Sequence, residues 1–423
     1  MIKNYRGRYP LQKYLEIRDN PIAFLSGVLG QCGDFARIGI FSYRFYLIND
    51  PDLIREALIE KHDVLIIKGG VSRGLARLIG DGILTNRGEQ WRESRRGLQP
   101  LFNQNSLETY PSIMRERMRE SLDRWRSRFA GKAFSINREI LALSFRIKCS
   151  ALFHYLPTFE EAEEFADAVW ILQLDGMKRH LTGLDFFGWI PLPLNLRVNR
   201  ARATLIRLAQ NTIEHGAGQP LDEILSILFA GTESPANTIC WALKLLDDHP
   251  AWRDKLMDSV SLQNGTAQSG DAEDSDVLSQ VISETVRLYP AGWAFERFAA
   301  QDATLGGEVI AKGSRLLFSP FLLHRNPRFW REPEKFDPTR FTAAFTAPVG
   351  VPKYGYLPFG AGPRSCIGSR MAWIEMRIIL SMLLGQCRLK IQKPPRGSPL
   401  TPQGSFKIRL DQPLFVQMES PSE

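Results

Sequence analysis

Cysteine is scarce in this 423-residue chain: Cys32, Cys149, Cys240, Cys366 and Cys387, five in all. They are odd in number and widely spaced, with no CxxC pair. That excludes a zinc module and a disulfide scaffold, and it fits a reducing compartment. Long apolar runs are missing as well. The longest, such as 378–385, fall well short of the roughly eighteen residues a membrane span needs, and the first twenty residues lack the apolar core of a secretion signal. We therefore expect a soluble, cytoplasmic protein with no transmembrane anchor. The chain is mildly basic, with 54 Lys and Arg against 46 Asp and Glu, but it has no long tract of one sign. That reads against nucleic acid and points to an acidic protein partner. No internal repeat is found. Hydrophobic residues make up 44% of the chain, enough for a large core.

Helical periodicity dominates what is present. Apolar residues recur at helical spacing in 52–62, 112–129, 158–174, 201–215, 278–289 and 371–385. Strand-like pieces with turn signals occupy 36–50 and 303–320. The expected fold is mainly α with a small mixed β region, built from segments near 36–70 and 300–320, within one catalytic domain spanning 1–423. The stretch 228–238, "LFAGTESPANT", interrupts an otherwise buried helical pattern. It places Gly231, Glu233, Ser234 and Pro235 in close succession, each a poor choice for a helix interior.

The richest stretch is 356–376. Cys366 ends a Gly/Pro-rich segment immediately before a strong helix. A thiol there faces backbone N–H groups and the positive end of the helix dipole, both favouring thiolate, the form an iron ligand takes. Gly360, Gly362 and Gly368 allow tight turns and close approach to a flat cofactor. Phe359 can pack beside the sulfur, and Arg364 suits a cofactor carboxylate.

Phe359, Gly362, Arg364, Cys366 and Gly368 satisfy the pattern F-x-x-G-x-R-x-C-x-G. In this the chain resembles the cytochrome P450 family of haem-thiolate monooxygenases, of the soluble bacterial type, over most of its length. The resemblance implies haem b between a long distal helix and the Cys-ligand loop 356–368, with Cys366 on the iron. It implies that Trp91 and Arg95, four apart on one helix face, and Arg297 bind the propionates. It assigns Glu284 and Arg287, with Arg340, to a structural network, and His324 to a structural role. Ala230 and Gly231 would leave room above the haem, the glycine letting the helix bulge. Glu233 and Ser234 match the acid–alcohol pair that serves oxygen activation. The match is imperfect: serine replaces threonine and proline the second threonine, so the hydroxyl is less firmly aimed and the helix is weakened.

By the same resemblance, Leu75, Trp293, Phe295 and Phe406 line the substrate pocket beneath a lid at 176–194, in which Phe186, Phe187 and Trp189 either face substrate or simply pack. The expected reaction inserts one oxygen atom from dioxygen into an apolar small molecule of terpenoid or fatty-acyl type. No flavin or nicotinamide domain is fused, so electrons are expected from a ferredoxin or flavodoxin with its reductase, steered by a basic face carrying Arg96, Lys353, Arg364 and Arg370. The protein is expected to be a monomer. The alternatives are peroxide-driven oxidation, oxidative coupling or desaturation at the same centre, and, from another class, a non-catalytic haem sensor.

Overall fold

The structure is a computed structural model that describes residues 2–5, 9–41, 43–67, 70–177, 189–263, 276–343, 346–392, 400–404 and 407–419. Its organising element is the helix Leu221–Asp248, 28 residues and therefore about 42 Å long. Asp222 and Glu223 stand in its first turn, where carboxylates complement the dipole. Beyond that turn it is apolar on nearly every side, the pattern of a helix enclosed by others. The helices Ile136–Phe153, Ser369–Gln386, Pro193–Glu214 and Val277–Leu288 pack around it. Among them they bury Phe145, Ile147, Leu205, Ile239, Trp241, Val281 and Ile379.

The expected interruption does not break this helix. It runs through Gly231 and Pro235 without a bulge. Pro235 has no N–H to give the Gly231 carbonyl, and its ring presses on that carbonyl. A Cβ on Gly231 would only touch Lys148 at 3.5 Å, so the room this glycine leaves faces the neighbouring helix. Hydroxyls reinforce the turns on either side. Thr232 donates to the Leu228 carbonyl at 2.5 Å, Ser234 to that of Ala230 at 2.9 Å, and Thr238 to that of Ser234 at 3.0 Å. Irregular helix does occur elsewhere, as π turns at Glu56–Glu60 and Leu172–Gly176.

The largest sheet joins distant segments in the order Lys3–Asn4, Phe35–Ile40, Tyr43–Ile48, Arg315–Phe318, Phe295–Ala299, Leu65–Ile66. It is mixed: Tyr43–Ile48 runs parallel to Arg315–Phe318 and antiparallel to Phe35–Ile40. Register places Arg297 opposite Leu316, on an inner strand. A hairpin of Pro402–Gly404 and Ile408–Leu410 touches the long helix.

Glu284 and Arg287, three apart on Val277–Leu288, are both fully buried. Arg287 donates through Nε and Nη2 to the Glu284 carboxylate at 2.6 and 2.8 Å. Its remaining N–H groups reach the carbonyls of His324, Pro333 and Lys335. Glu284 also accepts from the Asp337 N–H at 2.8 Å, and Arg340 stands 3.4 Å from it. Removing one partner of such a pair strands a buried charge and three carbonyls. Arg287→Met is expected to lower the free energy of unfolding by about 3–5 kcal/mol, measured by denaturant titration. A loss within about 0.5 kcal/mol, typical of a surface change, would show the pair to be incidental.

Candidate active site

The loop 356–368 is held from both ends. His324, buried, accepts the Leu357 N–H on Nε2 at 2.8 Å and donates from Nδ1 to the Arg287 carbonyl at 3.1 Å. Burial pushes its pKa down to about 3, so it stays neutral and keeps both bonds. Further along, Gly360 and Gly362 adopt φ of +72° and +74°, a region costly for other residues. A side chain on Gly362 would also collide with the Leu58 carbonyl. These turns close with the Cys366 N–H donating to the Phe359 carbonyl at 2.9 Å. Phe359 and Ile367, flanking the loop, pack on the main core. The Cys366 side chain is accessible, and Lys407 and Arg95 lie within electrostatic reach of its sulfur. Burial pushes its thiol up, and the Gly368 N–H, Lys407 and Arg95 pull it back.

Three arginines gather beside this loop. Arg95, on the helix Gly88–Leu98, donates to the Ser365 carbonyl at 2.8 Å. Arg364 lies over the ring of Trp91, 4.1 Å from its centroid, and donates to the Asn86 carbonyl at 3.0 Å. Arg297 is buried on its inner strand and donates to the Glu296 carbonyl. Burial, then the neighbouring Arg297 and Arg95, push Arg364 down to about 9, and burial pushes Arg297 down to about 10.

On the long helix, Ala230, Gly231 and Ser234 keep partial exposure within a buried run. Ala230 and Ser234, one turn apart, share a face. Between them in sequence, Glu233 is buried and turned to another side. Its carboxylate accepts from Gln173, on the π turn Leu172–Gly176, and from Asn237 at 3.2 Å. Burial pushes Glu233 up to about 7 against the pull of Lys407 and Arg409. Lys407 donates from Nζ to the Ser234 hydroxyl at 2.9 Å and lies within electrostatic reach of Glu233 and Cys366. Lys407 thus links the Ala230–Ser234 face to the neighbourhood of the sulfur.

The family model for cytochrome P450 matches residues 11–223 and 220–413. The chain belongs to the cytochrome P450 family. Among curated relatives it is 27% identical over 399 residues to a cyclooctat-9-en-7-ol 5-monooxygenase of Streptomyces melanosporofaciens, covering 88% of this chain and 85% of that one. It is 26% identical to a pentalenene oxygenase of Streptomyces avermitilis, covering 88% and 87%. The fold is similar to that of CYP175A1 from Thermus thermophilus, with a TM-score of 0.79 and 26% identity over 99% of this chain and 100% of that one. This P450 is accordingly a cysteine-ligated haem b enzyme of the monooxygenase class. Among the described residues, no helix is long and apolar enough to cross a membrane.

The residues present fit haem b. A single accessible thiol stands in the loop, and three guanidiniums crowd one another beside it. Arg364 makes no ion pair among the described residues. Two cofactor carboxylates would relieve that crowding. The indole of Trp91 lies in the same group. Gly368, whose side-chain position would meet Phe102 at 3.4 Å, starts the helix Ser369–Gln386 behind the loop.

Other positions differ from expectation. Arg364 is turned inward to Trp91 and Asn86, because its loop folds back under Gly362; it does not belong to the basic outer face, where Arg96, Lys353 and Arg370 are exposed. Trp293 is buried among Phe24, Leu25, Val28 and Phe321, its indole edge against Gly404. It supports the hairpin rather than standing on a chamber wall. Phe295 stacks on Phe318 at 5.2 Å, and Leu75 packs against the main core. Phe406, Phe186 and Phe187 lie outside the described residues, while Trp189 is 80% exposed.

Sequence reasoning missed Gln173, Asn237, Lys407 and Arg409. Only Asn237 carried a signal, four residues beyond Glu233 on the same helix face. With a pKa of about 7 in the fold against 4.5 in an open chain, Glu233 holds a proton that the unfolded chain has released. Its contribution to stability is therefore full below about pH 4.5 and declines as pH rises toward about 7. Infrared difference spectra should show a protonated carboxyl band vanishing as pH is raised through about 7, and no such band in Glu233→Gln. A band that titrates near 4.5 would refute this assignment.

Proposed function

We propose that this P450 hydroxylates an apolar small molecule of terpenoid or fatty-acyl type, with Cys366 on the haem iron and electrons from an external ferredoxin or flavodoxin. The observation that carries this reading is the accessible Cys366 sulfur beside three crowded arginines, with Lys407 linking it to the Ala230–Ser234 helix face. The Streptomyces relatives, named for cyclooctat-9-en-7-ol and pentalenene, support the terpenoid class.

Haem b, when bound, supplies the redox chemistry that reduces dioxygen and inserts one of its atoms. The chain supplies the rest. Arg95, Arg297, Arg364 and Trp91 would hold the propionates and so orient the cofactor, with Phe359 packing beside the sulfur. The small side chain of Ala230 would leave room next to it. Glu233, poised near neutrality, takes and releases a proton at physiological pH. Gln173 and Asn237 donate to its carboxylate and hold it in place. The buried surroundings keep bulk water from the same protons.

Ser234 is the one member whose hydroxyl is committed elsewhere. Its single proton goes to the Ala230 carbonyl and its lone pair receives Lys407. To serve dioxygen it has to release that carbonyl. This observation favours, as a second reading, peroxide-driven oxidation, which needs no proton delivery through the hydroxyl. Ser234→Ala is expected to lower product formed per reducing equivalent about a hundredfold, the low end of what one proton-transfer group contributes, while leaving the thiolate-specific absorption of the reduced, CO-bound form in place. Unchanged coupling would remove Ser234 from the mechanism, and loss of that absorption in wild type would remove Cys366 as ligand.

The exposed Arg96, Lys353 and Arg370 make a basic surface suited to an acidic electron donor. Reduction by ferredoxin is expected to slow severalfold between low and physiological ionic strength as that attraction is screened, and salt-independent stopped-flow rates would argue against it.

A further inference from the structure

The first turn of the long helix carries two carboxylates aimed away from it. Its N-cap residue is Pro220, which offers no side-chain cap. Asp222 and Glu223 reach instead to the segment 80–86, which lies between the helices Gly70–Ile79 and Gly88–Leu98. Asp222 accepts the Asp81 N–H on Oδ2 at 2.9 Å, and Glu223, buried, accepts the Ile83 N–H on Oε2 at 2.9 Å. Two glycines let the segment lie that close. A Cβ on Gly80 would stand 2.3 Å from the Asp222 carboxylate, and one on Gly82 would stand 2.3 Å from the Asp222 carbonyl and 2.4 Å from the Ser226 hydroxyl. The Asp222 side chain can turn away but the helix backbone cannot, so a side chain on Gly82 would lift the segment off. The segment is braced within itself as well. Thr85 donates to the Gly80 carbonyl at 2.8 Å, and Asn86, buried, donates to Ser94 at 2.7 Å. Carbonyls of the same segment hold Arg364. Its Nη2 donates to Asn86 at 3.0 Å, and its Nη1 reaches the Ile83 carbonyl at 3.5 Å. Ile83 therefore meets a carboxylate of the long helix on its N–H and the arginine on its carbonyl.

We propose that Asp222 and Glu223 are positioning residues that latch the haem: through the segment 80–86 they hold Arg364 in the place from which it grips a propionate. The proposal rests on the assignment of Arg364 to a propionate and extends it to the first turn of the distal helix. A guanidinium has five N–H donors. The segment takes two from Arg364, and the ring of Trp91 supports its flat face, so the remaining donors are held ready for a carboxylate. An arginine without that support keeps its charge but has to be ordered each time it binds, and that ordering opposes binding. The long helix so contributes to holding the cofactor from a point roughly two turns before Ala230.

The test measures how fast the haem-loaded enzyme gives up haem to excess apomyoglobin. Glu223→Met should speed that transfer at least about tenfold, the effect of losing one hydrogen bond to a charged acceptor. Gly82→Ala should speed it as well, by lifting the segment from the helix. Glu223→Gln keeps an acceptor oxygen and should cause a smaller rise. Arg364→Leu alone should speed transfer. With Leu already at position 364, adding Glu223→Met should change the rate by less than about twofold, because residues that act through one link are not additive. Amide hydrogen exchange in Glu223→Met should quicken at 80–86 and stay unchanged along Ile136–Phe153. Unchanged transfer in either Glu223→Met or Gly82→Ala would overturn the proposal. A full further acceleration in the double variant would overturn it too, as would exchange that quickens throughout the core. A wild-type rate in Arg364→Leu would remove Arg364 from the propionates, and the latch with it. None of these outcomes touches the monooxygenase reading, which fails separately if wild type lacks the thiolate-specific absorption.

Discussion

Arg287 is the point on which the rest of the structure hangs. A guanidinium has five N–H donors, and here all five are spent: two on Glu284 and three on the carbonyls of His324, Pro333 and Lys335. Through them one buried side chain fixes the chain from 324 to 335. His324, so fixed, clamps Leu357 with its other ring nitrogen, and Leu357 starts the loop that presents Cys366. The sulfur therefore inherits its position from a charge pair that does no chemistry. A pair of this kind contributes little net stability once desolvation is counted; its value is that only one arrangement of the loop satisfies every donor.

The long helix meets a different constraint. It must be buried for nearly all its length yet offer one small, reactive face. Burial demands that every backbone group be satisfied, and Pro235 removes one donor in the middle. Three hydroxyls, on Thr232, Ser234 and Thr238, each reach a carbonyl one turn back. The helix stays regular and the irregularity is moved to its neighbour. The π turn at Leu172–Gly176 carries Gln173, the residue that reaches Glu233. A proton-handling acid is thus held by a helix that stays straight and aimed from one that does not.

Legibility followed the range of each interaction. The Cys366 loop was readable because its demands are local: glycines where φ must be positive, an aromatic beside the sulfur, a helix start. Spacing puts Glu284 and Arg287 on one helix face but would suit a surface ion pair equally well, and only the family resemblance marked them as a buried network; the segregation of helical from strand-like segments gave the fold class. Lys407 and Gln173 were not readable. Each sits in an ordinary-looking segment and meets the distal helix only because strands and helices far apart in sequence converge there. Arg364 misled for a related reason. Its position in a loop suggested an exposed charge, and only the backbone path set by Gly362 turns it under Trp91.

These charges fall into two groups. Arg95, Arg297 and Arg364 crowd on one side, where burial weakens their hold on protons and repulsion adds to it at Arg364. A dianion on that side is what the cofactor would bring. Lys407 and Arg409 stand at the distal helix, where both pull on Glu233 and Lys407 also meets the Ser234 hydroxyl. Burial and these cations act on Glu233 in opposite directions, and their near balance is what leaves its proton exchangeable near neutrality.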